Sequence, residues 1–553
     1  MSPDSGYVQK CGTDEAFLNL CKLSEGAANA ATYEEIKQLL DIDEYINYVA
    51  AEFYLGSTDW PQNNIKGFRH RDGGRFRFVS FDIDHAFSAT TSTFNTFEEK
   101  QTYTFDYLYD LQTRFTKEIK FVTLFKNLLA NDEFRRRFID TFCIMGGSVF
   151  EEDRAKAIID SLTENVTPMM ALEGKSPTST AEQMKNSFTG RMEKMMGALQ
   201  SYSPMQLKST SPQNAIISSN APGAQIFINE VALPHSKGDV APSFDGQLFA
   251  PVKLKAVAPA GYRFVGWRNK KDNTYFSKNE ETTMPSGNFT LEAKFTALTD
   301  AEREAKEITP VRINEVSAVN DVFVNDYFKK GSWVELYNTT NKPIDIEGMY
   351  LSDDISMPLK YRITKGPSVA TTLIGAHGHL LTWLDTKAPI SQLPASFKVG
   401  DTGELLLTAA DESWSDYLSY PVHDGYNSVI RYPDGENTTY VTSLPTIGGP
   451  NRINSYLTAF TNERPTSVRN TSFASWSLRL QAVGQRLIVI GQEAATALVS
   501  ITNLAGQIVL VASPSSVNGQ QSIDVSRLSP GCYIAHATDS EGHSTTLKFS
   551  KTR

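Results

Sequence analysis

The hydrophobic periodicity of this chain of 553 residues changes near residue 210. Before that point apolar residues recur at steps of three and four, which predicts helices; from about Asn214 onward they alternate with polar residues, which predicts short strands. Neither a helical bundle nor a single sheet accommodates both patterns. The sequence therefore predicts a multidomain α+β protein that is mainly α-helical at first and continues into three all-β modules.

Within the helical part, the stretch 41–87 also predicts a β-hairpin. Its helix should end at Gly56. One face of that helix is apolar, made by Ile42, Tyr45, Ile46, Val49 and Phe53. A polar loop follows, and then two short strands, about 65–70 and 75–81, joined by a glycine-containing turn.

Further helices are predicted downstream of the hairpin. After a Ser/Thr-rich loop over 88–101, helical patterns occupy about 105–144 and 152–170, and a last helix contains Met184 to Met196. The basic run 135–137 is interpreted as the solvated face of a helix. Residues 201–211 should then form a linker.

Four polar side chains accompany the hairpin: Asp59 in the loop, Asn64 five residues later, and Asp82 and Asp84 at the end of the second strand. Phosphoryl transfer requires such groups, because a carboxylate accepts the proton of the attacking hydroxyl and oxygen ligands hold Mg²⁺ against the phosphates. Protein kinases place a base Asp five residues before a metal-binding Asn, with a second metal-binding Asp further on. The alternative is that Asp and Asn occur here only because they favour turns.

A family resemblance adds to this hypothesis. The runs Tyr54–Pro61, Asn63-Asn64, Gly74–Phe78 and Phe81–Asp84, together with 124–138, resemble the CotH kinase family of spore-coat proteins, a branch of the atypical protein kinases. The resemblance covers about residues 1–205 as a kinase-like C-terminal lobe. It implies ATP and Mg²⁺ as cofactors and a protein Ser or Thr as phosphate acceptor. Asp59 would be the catalytic base, Asn64 a metal or base-orienting group, and Asp82 or Asp84 a metal ligand.

One departure from the family bears on activity. A kinase needs a lobe before its catalytic loop, with a lysine for the phosphates of the nucleotide. Only 58 residues precede Asp59, and they are mainly helical by pattern. We therefore expect either a C-terminal piece of a longer protein or a degenerate lobe, and whether this chain is an enzyme stays open.

Composition excludes several classes of protein. The net charge of −10 and pI near 5.5 argue against nucleic acid as the main partner. The four cysteines are scattered without metal-binding spacing, although a Cys11–Cys21 pair stays open. No apolar run is long enough for a transmembrane helix, and the chain does not begin with a signal-peptide pattern.

The first β module, 212–297, resembles the internalin B-repeat-like modules of bacterial surface proteins through Pro259–Trp267. Trp267 is expected to be a core residue, and an aromatic platform for a sugar is the alternative.

The second β module, 310–453, resembles the lamin-tail domain, an immunoglobulin-like β-sandwich, through Val311–Val316 and Trp333–Asn338. Asn314 and Glu335 are expected to hydrogen-bond strand ends. His377 and His379 are either metal ligands on one strand face or part of an exposed loop.

A linker is expected over 454–477, followed by a β-sandwich over 478–553. The phrases Leu504–Val509 and Leu528–Ile534 resemble the C-terminal sorting domain of the type IX secretion system of Bacteroidetes. This resemblance implies the type IX machinery as a partner and a secreted or outer-membrane surface location.

Two functions of different classes follow. The complete protein is either a secreted CotH-like protein kinase, or a non-catalytic surface adhesion or structural protein with a degenerate kinase lobe, whose β modules bind a cell-surface or glycan ligand.

Overall fold

The computed structural model describes a helical N-terminal part followed by β modules, as the periodicity predicts. The residues it describes are 12–61, 63–69, 74–84, 86, 102–107, 113–234, 241–325, 327–365, 371–384, 393–395, 397–452, 458–460, 479–483, 486–490, 497–503, 507–517, 520–538 and 544–551. The predicted turn at 71–73, the loop at 88–101 and Cys11 lie outside them. None of the helices that it describes is both long and apolar enough to cross a membrane.

Helices dominate the described residues up to 201. They are α1 (Glu15–Ser24), α2 (Ala30–Leu39), α3 (Ile42–Leu55), α4 (Lys120–Leu128), α5 (Asp132–Gly146), α6 (Glu152–Leu172), α7 (Thr178–Phe188) and α8 (Arg191–Ser201). The strands among them form two hairpins: β1 (Gly67–Phe68) with β2 (Arg77–Phe78), and β3 (Thr102–Tyr107) with β4 (Thr113–Glu118).

The helix α3 lies at the centre of the aromatic core of the helical part, and both of its ends are fixed by local signals. Asp41 caps the first turn by accepting the N–H of Glu44 at 3.3 Å, and Gly56 ends the helix in the left-handed conformation, φ 71°. Its aromatic rings pack against those of the loop, the first hairpin and α4: Tyr45, Tyr48, Phe53, Trp60, Phe78 and Phe121. The core of the lobe therefore includes the segment that presents Asp59.

Several local predictions were wrong. Residues 102–107 and 113–118 are paired antiparallel strands instead of helix, and the expected last helix is two helices separated by Gly190. The expected linker 201–211 packs against the core, with Met205 and Leu207 buried.

The first β module consists of two packed sheets. Their strands are β5 (Pro212–Ser219), β6 (Gln225–Ile228), β7 (Val231–Ala232), β8 (Ser243–Phe249), β9 (Val252–Val257), β10 (Tyr262–Asn269), β11 (Tyr275–Ser277), β12 (Glu281–Met284) and β13 (Phe289–Ala297). The sheet orders are β11-β10-β13-β5-β8 and β12-β9-β6-β7. Trp267 is fully buried and its indole N–H donates to the carbonyl of Glu280 at 3.2 Å, so the core interpretation is confirmed and the sugar platform excluded.

The sandwich follows α9 (Asp300–Ala305). Its strands are β14 (Val311–Ser317), β15 (Trp333–Asn338), β16 (Ile344–Asp345), β17 (Tyr350–Ser352), β18 (Tyr361–Arg362), β19 (Leu373–Ile374), β20 (His379–Leu384), β21 (Leu393–Ala395), β22 (Gly403–Thr408), β23 (Ser415–Tyr420), β24 (Ser428–Arg431), β25 (Thr439–Thr442) and β26 (Thr458–Phe460). A sheet in the order β21-β20-β15-β14-β24-β25-β26 faces one in the order β18-β17-β22-β23. Because β26 pairs with β25, part of the expected linker belongs to the sandwich.

The last module forms two four-stranded sheets around its own core. Its strands are β27 (Arg479–Val483), β28 (Arg486–Ile490), β29 (Leu498–Asn503), β30 (Ile508–Ala512), β31 (Ser515–Val517), β32 (Gln520–Asp524), β33 (Gly531–Thr538) and β34 (Ser544–Lys551). Six of these strands follow the alternating runs that the sequence shows.

The basic run on α5 is not a solvated face. Arg135 is buried and donates to the carbonyl of Leu129 at 2.8 Å, and Arg137 forms an ion pair with Asp43 of α3. Arg136 forms an ion pair with Asp140, and its side chain also donates to the carbonyls of residues 249–251 of the first β module. This run therefore fastens α5 to α3 and to the β module.

Candidate functional site

A polar stripe on α3 holds the segments that bear the predicted site residues. It consists of Asp41, Glu44, Tyr48 and Glu52, spaced three or four residues apart so that all lie on one side of the helix. Asp41 accepts from the guanidinium of Arg77 at 3.0 Å, and Glu44 accepts the main-chain N–H of Phe78 at 3.0 Å. The first half of the stripe thus fixes strand β2.

The second half of the stripe fixes the loop. The hydroxyl of Tyr48 accepts the indole N–H of Trp60 at 2.8 Å. The carboxylate of Glu52, 2% exposed, accepts the hydroxyl of Ser57 at 2.6 Å and also that of Ser80. The residues next to Asp59 and the approach to Asp82 are therefore anchored to one helix.

Burial shapes the electrostatics of this stripe. It raises the pKa of Glu44 to about 8, against the opposing effects of the Phe78 N–H and Arg77. Burial also raises the pKa of Glu52; the hydroxyls of Ser57 and Ser80 oppose that rise, and the negative charge of Asp59 adds to it.

Three of the four predicted site residues meet at Asn64. The amide nitrogen of Asn64 donates to the Asp59 carboxylate at 2.6 Å and to the main-chain carbonyl of Asp82 at 3.0 Å. Asp59 is half-buried, and the side chain of Asp82 is exposed beside it. Asp84 is exposed two residues further along.

The backbone at this meeting point is unusual. Asn64 and Asp82 have φ values of 54° and 55°, in the left-handed region that side chains other than glycine rarely adopt. Asn and Asp tolerate this region best among non-glycine residues, and such conformations concentrate at functional sites. The same two residues are joined by the hydrogen bond from the Asn64 amide to the Asp82 carbonyl.

These residues fit a hard cation of the Mg²⁺ type. Because the amide nitrogen of Asn64 is engaged by Asp59 and Asp82, its Oδ1 is the atom offered to a ligand. Oδ1 of Asn64 and one or both of the exposed carboxylates of Asp82 and Asp84 together supply two or three oxygen ligands. Mg²⁺ is usually held by so few protein ligands because it keeps several waters. Within the described ranges, no three His, Cys, Asp or Glu side chains are grouped as a metal site.

The sequence interpretation missed Glu52 as part of this site. The available signal was the spacing of the polar residues 41, 44, 48 and 52, beside the apolar face that was used to predict the helix. The partners of Glu52 could not be predicted, since Ser80 is 28 residues away in the chain.

A second group of buried polar residues lies in the sandwich. Asn314 donates to Asp434 at 3.0 Å and accepts the N–H of Gly435 at 2.8 Å, which confirms its predicted role. Glu335 accepts the N–H of Gly448, and burial raises its pKa to about 7. Its cross-strand neighbour Glu315 is equally buried, and its pKa is raised by burial and by Glu335.

His377 and His379 are neither in an exposed loop nor grouped as metal ligands among the described residues. His377 is buried and contacts the Tyr337 hydroxyl at 3.2 Å. His379 contacts the carboxylate of Asp434 at 3.2 Å. Burial lowers the pKa of His379, but the hydrogen bond and charge of Asp434 outweigh it, so that the pKa is raised.

Comparison with protein families assigns three segments. Residues 2–201 match the family model described as CotH kinase protein. The chain contains a CotH segment. Residues 236–299 match the divergent InlB B-repeat domain, and residues 485–551 match the secretion system C-terminal sorting domain. The sorting domain indicates secretion or cell-surface location through the type IX system.

Solved structures give only remote similarity. A Bacteroides ovatus mixed-linkage glucan utilization locus protein, SGBP-B, solved with a heptasaccharide, is 11% identical over 62% of this chain and 63% of its own, with a TM-score of 0.13. BcpA, the major pilin subunit of Bacillus cereus, is 8% identical over 62% and 96%, with a TM-score of 0.12. The S-layer protein rSbsC(31-844) is 9% identical over 99% and 76%, with a TM-score of 0.11. No curated protein sequence matches the chain.

Proposed function

We propose that the CotH segment, on this secreted or surface protein, transfers a phosphoryl group from ATP to a Ser or Thr of a protein. The observation that supports this is the hydrogen bonding of Asn64 to both the Asp59 carboxylate and the Asp82 main chain. It brings a candidate base and a candidate metal ligand together at one point, as phosphoryl transfer requires.

The residues have distinct roles in this proposal. Asp59 accepts the proton of the acceptor hydroxyl, and the amide of Asn64 orients its carboxylate. Asn64 through Oδ1 and Asp82 through its carboxylate would hold Mg²⁺, which supplies charge neutralisation at the phosphates. We favour Asp82 over Asp84 as the ligand because the backbone of Asp82 is fixed by Asn64 in a left-handed conformation.

The test compares Mg²⁺-dependent ATP binding by calorimetry with transfer of labelled phosphate to a mixed protein substrate. We expect Asp82→Ala to abolish binding and Asp59→Asn to preserve binding while lowering transfer at least 100-fold. Asp84→Ala should retain binding. Asp153→Asn, an exposed change on α6, is the matched control. A parent chain that neither binds nor transfers would refute the proposal for this chain.

A second candidate is a non-catalytic surface scaffold. It is favoured by the polar contacts that join the CotH segment to the β modules, including Arg136 with residues 249–251 and Arg77 with Ser443. This function predicts unchanged attachment to a cell-surface or glycan ligand after Asp59→Asn, whereas a kinase-dependent role predicts a loss.

A further inference from the structure

Glu52 occupies a symmetrical place between the two segments that form the candidate site. It accepts the hydroxyl of Ser57, two residues before Asp59, and that of Ser80, two residues before Asp82. One buried carboxylate therefore fastens both segments to α3 at the same distance along the chain from their functional residues.

Asn64 joins the same two segments at the site itself, through the Asp59 carboxylate and the Asp82 carbonyl. The loop and the end of the hairpin are thus connected twice, once through Asn64 and once through Glu52. A single hydrogen bond would let one segment rotate against the other, whereas two separate connections restrict that rotation.

Burying the Glu52 carboxylate costs free energy, which indicates that the residue has a specific role. Glu52 is 2% exposed and lies near the negative charge of Asp59. Burial of a charged group is unfavourable unless hydrogen bonds compensate, and the two serine hydroxyls are those bonds. An apolar residue would avoid the cost but would release both segments.

We propose that Glu52 is a positioning residue, which sets the separation of Asp59 and Asp82 by holding Ser57 and Ser80 together. This inference rests on the proposed function only for its catalytic consequence. The structural connection itself can be measured whether or not the chain transfers phosphate.

The first experiment is amide hydrogen exchange on the full chain and its variants. The N–H of Asn63, bonded to the Asp59 carbonyl, reports on the loop, and the N–H of Val79, bonded to the Lys66 carbonyl, reports on the hairpin. We expect Glu52→Ala to speed exchange at both sites at least 10-fold. Ser57→Ala should also speed exchange at Val79, and Ser80→Ala at Asn63, because each acts through Glu52.

The matched variant is Glu44→Ala, which removes another acid of the same helix, partly buried, that contacts strand β2. It should speed exchange at Phe78 and leave Asn63 unchanged. In the Glu52→Ala background, the two serine changes should add nothing further. Independent, additive effects of Ser57→Ala and Ser80→Ala would overturn the proposal.

The second experiment addresses catalysis. Glu52→Ala should lower kcat at least 10-fold with KM for ATP within twofold, and Glu52→Gln, which can still bond both hydroxyls, should restore most of the rate. A chain that transfers no phosphate but shows coupled exchange would refute the proposed function and leave the positioning role standing. An active Glu52→Ala variant with normal kcat would overturn the positioning role.

Discussion

Buried and partly buried carboxylates in this protein hold other segments of the chain. Glu44 accepts a strand N–H, Glu315 accepts from Ser428 and Thr446, and Glu335 accepts from Gly448. Burial raises the pKa of all three. Because the unfolded chain releases these protons at lower pH than the folded chain does, protonation and folding are linked.

Glu335→Gln should change how stability depends on pH. The pKa of Glu335 is about 7 in the folded chain, against an ordinary value of 4.5. Its proton therefore stabilises the fold fully below pH 4.5, and this contribution is lost as the pH rises towards 7. The uncharged variant avoids that loss, so its free energy of unfolding relative to the parent should improve by roughly 3 kcal/mol between pH 4.5 and 8.

Urea unfolding of the sandwich, measured at a series of pH values, gives this difference in free energy. Glu347→Gln, an exposed change in the same module, is the control and should show the same small difference at every pH. A difference between Glu335→Gln and parent that does not vary with pH would contradict the prediction.

At the scale of elements, α3 was predictable because its signals are local. Its apolar spacing, its Asp41 cap and its terminal Gly56 lie within sixteen consecutive residues. The strand pair β3–β4 was missed, although Thr102–Tyr107 alternates Thr or Asp with aromatic residues, because the apolar residues nearby were assigned to a helical period. The contacts of Asn64 and Glu52 were not predictable, since they depend on positive φ values and on partners distant in the chain.

Gly56→Ala tests the end of α3. The left-handed conformation at Gly56 should make this change destabilising by about 1 kcal/mol. Gly197→Ala is the matched control, because Gly197 lies inside α8 with nothing within 4 Å of the added methyl group. It should stabilise by about 0.5 kcal/mol. Thermal unfolding of both variants measures these changes in stability, and changes of the same sign would contradict the prediction.

At the scale of the whole molecule, both apolar packing and polar contacts join neighbouring modules. The apolar core of the CotH segment continues into the first β module, where the ring of Phe244 lies against Gly147. The side chain of Gln225 accepts from the hydroxyl of Tyr432 in the sandwich. The first β module is therefore attached to the CotH segment on one side and to the sandwich on the other.

Arg136→Met should weaken this attachment. It leaves the buried carboxylate of Asp140 and three carbonyls of the β module without their common donor, which we expect to cost about 2 kcal/mol. Arg154→Met, an exposed change on α6, should cost less than about 0.5 kcal/mol. Adding Asp140→Asn to Arg136→Met should recover part of the loss.

Chemical denaturation and limited proteolysis near residue 250 provide the readouts. Equal stability of Arg136→Met and Arg154→Met would show that the guanidinium contributes nothing to the attachment.

The contacts of Arg136 also limit the order in which parts of the chain can pack during synthesis. Its partner carbonyls at 249–251 are made more than a hundred residues after it, and strand β5 pairs in parallel with β13, which ends at Ala297. The contacts between α5 and the first β module therefore cannot form until residues 249–251 have been synthesised, and the sheet that contains β5 is incomplete until β13 has been synthesised. A fragment cut at residue 205 would lack the carbonyls that Arg136 binds, and would leave that face of α5 without its partner.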